Sequence, residues 1–282
     1  MSRARTTQKI AFAALAAITL IVVAPIVLTI LYIVFNGLGA ISWEFLSQPP
    51  RHGMREGGIF PALVGTILLI AGAMLFSLPV GIFAAVYLVE YAQDNFFSRL
   101  IKLSIVNLSG IPSIIYGLFG FTVFVVFLRF GTCILSGALT LAIMSLPVIV
   151  TTTKEALEAV PRSFREISLS LGATKWQTVR YCVLPHALPG ILTGTVLSLS
   201  RAAGETAPIL FTVAAFYLPR LPRSVFDQVM ALPYHLYVIS TQVPNMPLPI
   251  SFATGLVLVV LVFLMNLVSI VLRWHYRKKK QW

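Results

Sequence analysis

Charge is what this 282-residue chain has least of. Asp, Glu, Lys and Arg make up 11% of it, against roughly 25% in soluble domains, which excludes an ordinary water-soluble domain. Cysteine is nearly absent: Cys133 and Cys182 lie far apart with no metal or redox spacing, so no disulfide framework is available and both read as small apolar residues. The four histidines (His52, His186, His235 and His275) are scattered without metal-ligand spacing. No G-x-x-x-x-G-K-[ST] phosphate-binding loop occurs, so the chain is not by itself an ATPase. No G-x-S-x-G nucleophile turn occurs either, leaving an intramembrane hydrolase without support. No catalytic residue and no metal ligand is therefore assigned.

Apolar sequence fills the space that charge vacates. The chain is 58% hydrophobic, with a mean hydropathy of +0.91. A bilayer core about 30 Å thick needs about 20 apolar residues per helix. Six runs qualify, over residues 10–35, 60–88, 104–128, 133–152, 185–215 and 250–272. The first follows Arg3, Arg5 and Lys9 like a signal peptide, but it outruns the apolar stretch of about 7–15 residues that such a peptide carries, so it reads as an uncleaved helix. Gly110, Pro112, Gly117 and Gly120 interrupt the third run and Pro147 the fourth. Such breaks are tolerated where neighbouring protein satisfies the freed backbone.

The net charge of +12 does not point to nucleic acid, because the basic residues sit in short segments between apolar runs. Of the 21 Lys and Arg, Arg51, Arg55, Arg129, Arg220 and Arg223 fall on one side of a six-span topology and Arg201 within a span. The other 15 fall on the side of both termini, Lys279 and Lys280 among them. The positive-inside rule makes that side cytoplasmic. Trp43 and Tyr217 near outer boundaries, and Trp274 and Tyr276 near the inner one, suit interfacial anchors. The outer segment 36–59 reads as irregular, and a short helix is expected around 224–240. Glu90, Asp94, Glu155 and Glu158 fall at boundaries or in loops and are expected to be solvated.

Segment 153–184 reads as a structured cytoplasmic hairpin. Ser163 and Glu166 form an S-x-x-E capping pattern. Phe164, Ile167 and Leu171 then fall on one helical face, and Gly172 stands where a left-handed residue commonly ends a helix. Thr174 and Gln177 repeat the capping pattern, and Pro185 opens the fifth span. The segment either lies on the membrane surface or presents its apolar stripe to a cytoplasmic partner. Glu166-Ile167-Ser168, three residues, Gly172, nine residues, Cys182-Val183-Leu184-Pro185 resembles the pattern E-A-A, three residues, Gly, nine residues, Ile-x-Leu-Pro of ATP-binding-cassette importer permeases. Ile167, Ser168 and Cys182 depart from it, while the glutamate, the glycine and Leu-Pro keep their spacing. The resemblance implies that residues 163–177 dock on an ATPase subunit, with Ser163, Phe164, Glu166, Ile167, Leu171, Gly172 and Thr174 in the coupling surface.

Arg201 and Glu205 lie 16 and 20 residues beyond Pro185, which at ~1.5 Å per residue is about 24–30 Å along an unbroken helix. Four residues apart, they share a face. Charges within a bilayer usually face a bundle interior or a polar path. The pair either locks helix packing or lines an anion pathway, for which arginine supplies a planar fork while glutamate either holds the arginine in place or accepts a proton from a partly protonated anion. Pro112-Ser113 is open to the same two readings. The strings Gly190-Ile191-Leu192-Thr193-Gly194 and Arg201-Ala202-Ala203-Gly204-Glu205-Thr206-Ala207-Pro208 are similar to phosphate-importer permeases. The continuation through Ile209-Leu210-Phe211-Thr212 resembles the PstA type rather than its PstC sister. Trp43-Glu44-Phe45-Leu46, Gly57-Gly58-Ile59, Tyr87-Leu88-Val89-Glu90-Tyr91 and Pro112-Ser113-Ile114-Ile115-Tyr116-Gly117 extend the likeness from about residue 40 to the last span.

The expected fold is an all-α integral membrane bundle of six transmembrane helices, the transmembrane domain of a type I importer with a cytoplasmic coupling helix. Residues 1–58 hold the first helix and an outer loop. Residues 59–282 hold a five-helix permease core with the coupling loop 153–184 and a basic tail. The resemblance implies a permease, not an enzyme, in a bacterial inner membrane with cytoplasmic termini and a substrate pathway through Arg201, Glu205 and Thr206. Its implied partners are a second, PstC-like permease, a PstB-like ATPase dimer, a PstS-like extracytoplasmic phosphate-binding protein and the lipid bilayer. ATP and Mg belong to the ATPase, with no cofactor on this chain. Another oxyanion, the sister subunit, or an anion channel or ion-coupled carrier are the alternatives; the coupling-loop spacing speaks against the last two.

Overall fold

The structure, a computed structural model, describes residues 2–278. Lys279 and Lys280 lie outside the described residues, as do the side chains of Arg3, Arg5, Arg273, His275, Tyr276, Arg277 and Lys278. The chain begins with helix α1 (Ser2–Gly37) and a short α2 (Trp43–Ser47), which Ser42 caps by accepting the Phe45 N–H at 3.1 Å. Two-residue strands β1 (Pro50–Arg51) and β2 (Glu56–Gly57) pair antiparallel. The segment expected to be irregular is thus partly ordered. Next come α3 (Phe60–Val86) with a wide turn over Tyr87–Tyr91, α4 (Phe96–Ser109), α5 (Ser113–Gly120) with a wide turn over Phe121–Phe127, and α6 (Ile134–Glu158). A hairpin of α7 (Arg162–Ser170) and α8 (Lys175–Gln177) leads through a wide turn, Thr178–Val183, into α9 (Leu184–Gly204). The short α10 (Ala207–Leu210), α11 (Leu232–Thr241) and the long α12 (Leu248–Lys278) complete the order.

Five stretches are long and apolar enough to cross a membrane: Thr7–Ala40, Phe60–Tyr91, Ile134–Glu158, Lys175–Gly204 and Leu248–Val268. The third expected span is not one helix. Its halves α4 and α5 meet at a bend of 108°, because α4 ends at Gly110 and Pro112 takes an extended conformation (φ −56°, ψ 139°) before α5 starts. A proline supplies no N–H and pushes the residue before it out of the helical region. The Leu108 carbonyl, to which Pro112 has no N–H to offer, accepts the Ile111 N–H at 3.2 Å and the Tyr116 hydroxyl at 2.6 Å. The bent pair still runs the length of α6: Ile105 packs with Val150 and Leu157 near one end of that helix, and Gly120 abuts Thr140 toward the other.

Two other expected boundaries move. The fifth span stops at Gly204 rather than near 215, since Glu205 is extended (φ −75°, ψ 130°) and Pro208 restarts only one turn of helix. Pro147, by contrast, does not break α6. Helix α11 begins at Leu232 rather than near 224. Upstream, the Asp227 carboxylate accepts the amides of Arg223 and Ser224 at 2.7 and 3.1 Å, a local bond that competes with helix.

Helix α6 is the axis of the bundle, with 67% of its apolar window buried against 0% for α1. It packs on α3, α5 and α9. Lipid tails are as apolar as leucine, so close approach rather than hydrophobic burial holds such helices together, and small residues permit it. On α9, Gly190 and Gly194 stand one turn apart; a methyl at 190 would come within 2.5 Å of Ala156 Cβ, and one at 194 would collide with Thr152. Gly81 on α3 meets Ile149 in the same way, at 2.6 Å. One apolar cluster, including Leu69, Leu141 and Val238, fills the α11 end. A second, including Val86, Leu157 and Val183, fills the α7–α8 end. Between them lies only a small group around Ile70, Met74 and Ala203. Helix α1 rides on α12, with Gly37 against the backbone of Phe252 and Tyr32 edge-on to its ring.

His235 on α11 is 3% exposed, its Nδ1 has no hydrogen-bond partner among the described residues, and burial pushes its imidazole down to about 4. Above its unfolded value of about 6.5 the residue is neutral in both states and nothing is lost. Between about 6.5 and about 4 only the unfolded chain takes up the proton, so stability falls as pH falls, by about 3 kcal/mol in all. Thermal midpoints in detergent are expected to drop more for wild type than for His235→Leu between pH 7.5 and 4.5. Parallel profiles would refute the account.

Candidate functional site

The last turn of α9 carries Arg201, and the first residue beyond that helix is Glu205. Arg201 Nε donates to Glu205 Oε1 at 3.3 Å, so the pairing expected from the spacing forms. A cation suits the partial negative charge of a helix C-terminus. The pair stands mid-bundle: Ala203 packs with Ile70 and Met74, halfway along α3, and with Val262 and Met265, halfway along α12. Beside it, Ser200 Oγ donates to Asn266 Oδ1 and to Val196 O. Arg201 also lies within electrostatic reach of Tyr116 at the α4–α5 break. Two interrupted helices therefore bring polar groups to the same level.

The pair is not self-contained. A guanidinium has five N–H donors, and among the described residues one of those on Arg201 is hydrogen-bonded, to Glu205. Its side chain is 37% exposed and that of Glu205 17%. Gly204 between them is exposed, and a methyl there would meet nothing within 4 Å. Thr206 is half-buried beside the break, without a capping bond from its side chain. Unused cationic donors on an open face in mid-bundle call for a polar rather than an apolar neighbour.

At the far end, the hairpin follows its sequence in part. Gly172 has φ +83°; its N–H donates to Leu169 O at 3.0 Å and that of Ala173 to Ser168 O at 3.2 Å, the paired bonds of a left-handed helix stop. Thr174 and Gln177 form their capping box, at 2.7 and 3.3 Å. The Ser163–Glu166 box does not form. Pro161 is the N-cap and α7 starts at Arg162, which puts Ser163 inside the first turn and exposed. The apolar stripe also divides. Phe164 turns inward, packing against the second apolar cluster and, at 5.0 Å between rings, His186. Ile167 and Leu171 are exposed, along with Leu169 and Trp176, which the stripe had not included.

The expectation that Glu90 is solvated fails. Its side chain is 8% exposed, and Arg165, at 18%, donates to its Oε1 through Nε at 3.0 Å and Nη2 at 2.7 Å. The same guanidinium reaches the C-terminal end of α6, donating to Val160 O at 2.8 Å and Leu157 O at 2.9 Å. Glu90 sits at the C-terminal end of α3, where a carboxylate opposes the helix dipole, so burial there depends on its partner. Removing one partner of a buried pair typically costs about 3–5 kcal/mol. The two residues are 75 positions apart, and no local pattern announces them; the one available signal was an acid ending a long apolar run. Asp94 behaves as expected, exposed and 3.1 Å from Arg99.

Residues 77–279 match the family described as "Binding-protein-dependent transport system inner membrane component". The chain is similar to the probable ABC transporter permease protein YqgI of Bacillus subtilis, at 33% identity over 96% of this chain and 95% of that one. It is also similar to the phosphate transport system permease protein PstA 1 of Mycobacterium tuberculosis, at 35% identity over 80% of this chain and 72% of the relative. Among solved structures, a chain of a bacterial alginate ABC transporter in complex with its pentasaccharide-bound periplasmic protein superposes with a TM-score of 0.68, covering 92% of this chain and 91% of that one. At 13% identity that likeness speaks for the fold alone.

Nothing crowds the position of a Gly172 side chain, so Gly172→Ala isolates the cost of the left-handed backbone, roughly 1–2 kcal/mol. Amide exchange at 172 and 173 is expected to quicken by about 5- to 30-fold. Unchanged exchange would mean that the turn is held by something else.

Proposed function

The chain belongs to the family of binding-protein-dependent transport system inner membrane components, and from that premise we propose that it forms one half of an ATP-driven importer of inorganic phosphate. The observation that carries the reading is the Arg201–Glu205 pair at the interrupted end of α9, with its open face and free guanidinium donors. Phosphate transport permeases among the similar proteins support the choice of ion. A second, homologous permease supplies the other wall of the path and covers the exposed side of Gly204. Arg201 meets the tetrahedral anion with its planar fork. Glu205 accepts the hydroxyl proton that phosphate retains at neutral pH and sulfate lacks. Thr206 adds a hydroxyl beside them.

The remaining roles follow from the ends of the bundle. Ile167, Leu171 and Trp176 form an apolar cytoplasmic surface that seats in a groove of the partner ATPase, which holds ATP and Mg. Glu166, exposed beside them, supplies a charge at the rim. The α2, β1–β2 and α11 end faces the extracytoplasmic phosphate-binding protein, both termini being cytoplasmic. Residues 1–58 act as an accessory first helix and outer segment, and 59–282 as the permease core. ATP-driven closure of the ATPase dimer moves the α7–α8 hairpin and exposes the central pair to each side of the membrane in turn.

Proteoliposomes holding the chain with its partner permease, ATPase and binding protein are expected to take up phosphate only with ATP, with sulfate failing to compete. Arg201→Ala abolishes uptake, and Glu205→Gln narrows discrimination against sulfate by about tenfold, the worth of roughly 1.4 kcal/mol. Normal uptake by assembled Arg201→Ala complex, or uptake of another oxyanion, would overturn the assignment. For the docking surface, Leu171→Asp is expected to lower co-purification of the ATPase at least tenfold while the two permeases stay paired. Full retention would move the docking site elsewhere.

A further inference from the structure

We propose that Arg165 is the positioning residue through which movement of the α7–α8 hairpin reaches α3 and α6, with Glu90 as its anchor. Four of its five N–H donors are committed: two to Glu90 at the end of α3, and one each to Val160 O and Leu157 O at the end of α6. Apart from that link, the hairpin packs mainly on one neighbour, the run that leads into α9. There Ser168 Oγ and Thr178 Oγ1 pair at 2.9 Å, the Cys182 thiol donates to Phe164 O, and Phe164 packs beside His186. Toward α3 and α6 the apolar contact is that of Phe164 with the second cluster, which includes Val86 and Leu157. Beside the ion pair lies a cavity of about 550 Å³, lined by Val89, Glu158 and Arg162 as well as Glu90 and Arg165. Across that gap the link is polar and directional. Phe164 gives a contact that can slide; the guanidinium adds one that holds direction, so that a push on the hairpin carries α3, α6 and α9 together.

The geometry also says why this residue is arginine. A lysine keeps the charge but offers a compact ammonium without the planar fork, and it cannot hold a carboxylate and two carbonyls at fixed angles at once. Arg165→Lys therefore keeps the ion pair while loosening the joint, and Glu90→Gln keeps an acceptor oxygen while removing the charge.

The inference rests on the ATPase-coupled reading above. Its test is made on the complete complex in proteoliposomes, with inorganic phosphate as substrate and both uptake and ATP hydrolysis measured. Arg165→Lys and Glu90→Gln are expected to lower phosphate moved per ATP hydrolysed at least tenfold while hydrolysis persists. Amide exchange over 87–91 and 162–171 is expected to quicken at least tenfold. A purely structural residue would lower uptake and hydrolysis in step, with the amount of assembled complex; an unchanged ratio in both variants overturns the proposal. Should Arg165→Lys fail to assemble, the ratio in Glu90→Gln decides. Wild-type complex without ATP-dependent uptake would overturn the importer reading itself, whereas variant exchange identical to wild type overturns the joint alone.

Discussion

A bilayer core offers a peptide group no water, so every helix break within it must be answered by protein. That constraint orders this fold. Between α4 and α5 the answer is a tyrosine hydroxyl donating to the Leu108 carbonyl. Beyond α9 the helix ends with Arg201 in its last turn and Glu205 extended, beside an open face at Gly204. Pro147 shows the converse, a helix-breaking residue carried by a helix that stays continuous because α3, α5 and α9 surround it. Breaks are found here where packed neighbours or polar side chains stand beside them.

The two arginines beside helix C-termini make the contrast clear. Arg165 has four donors engaged and lies largely buried. Arg201, at the end of α9, has one engaged and is more than a third exposed. Both charges suit the negative end of a helix dipole, so the dipole does not explain the difference in commitment. A guanidinium with four donors engaged ties its neighbours to one another. One with four donors to spare, in mid-bundle, still has acceptors to meet.

Local chemistry was legible in the sequence; long-range pairing was not. Gly172 and the Thr174–Gln177 box declare themselves within a few residues, and each stands where its chemistry requires. The Ser163–Glu166 box failed because two signals overlapped: Pro161, two residues upstream, starts the helix early, and the serine is drawn into the first turn. The end of the fifth span at Gly204 was misjudged because an apolar composition continues past it, and hydropathy does not register a backbone that turns; Gly110 and Pro112 marked the break after Ser109, but not its 108° bend. The spacing of Arg201 and Glu205 placed them on one face, but not that the face would be open. Glu90 was misread because its partner lies 75 residues away.

Between the hairpin and the central pair runs a continuous series of rigid contacts. Arg165 binds the ends of α3 and α6. Gly81 lets α3 lie against Ile149 of α6, and Gly190 and Gly194 hold α9 against Ala156 and Thr152 on that same helix. Ten residues beyond Gly194, at a rise of ~1.5 Å each, α9 reaches the break after Gly204 about 15 Å away. Close-packed helix interfaces are stiff, because little void remains for a neighbour to move into. On the coupling proposed above, a displacement at the hairpin has few places to be absorbed before Gly204, where the packing is open and the helix ends. The loosest packing on α9 is also the point flanked by the exposed charges, so the proposed movement would be spent at the two sides of the central pair.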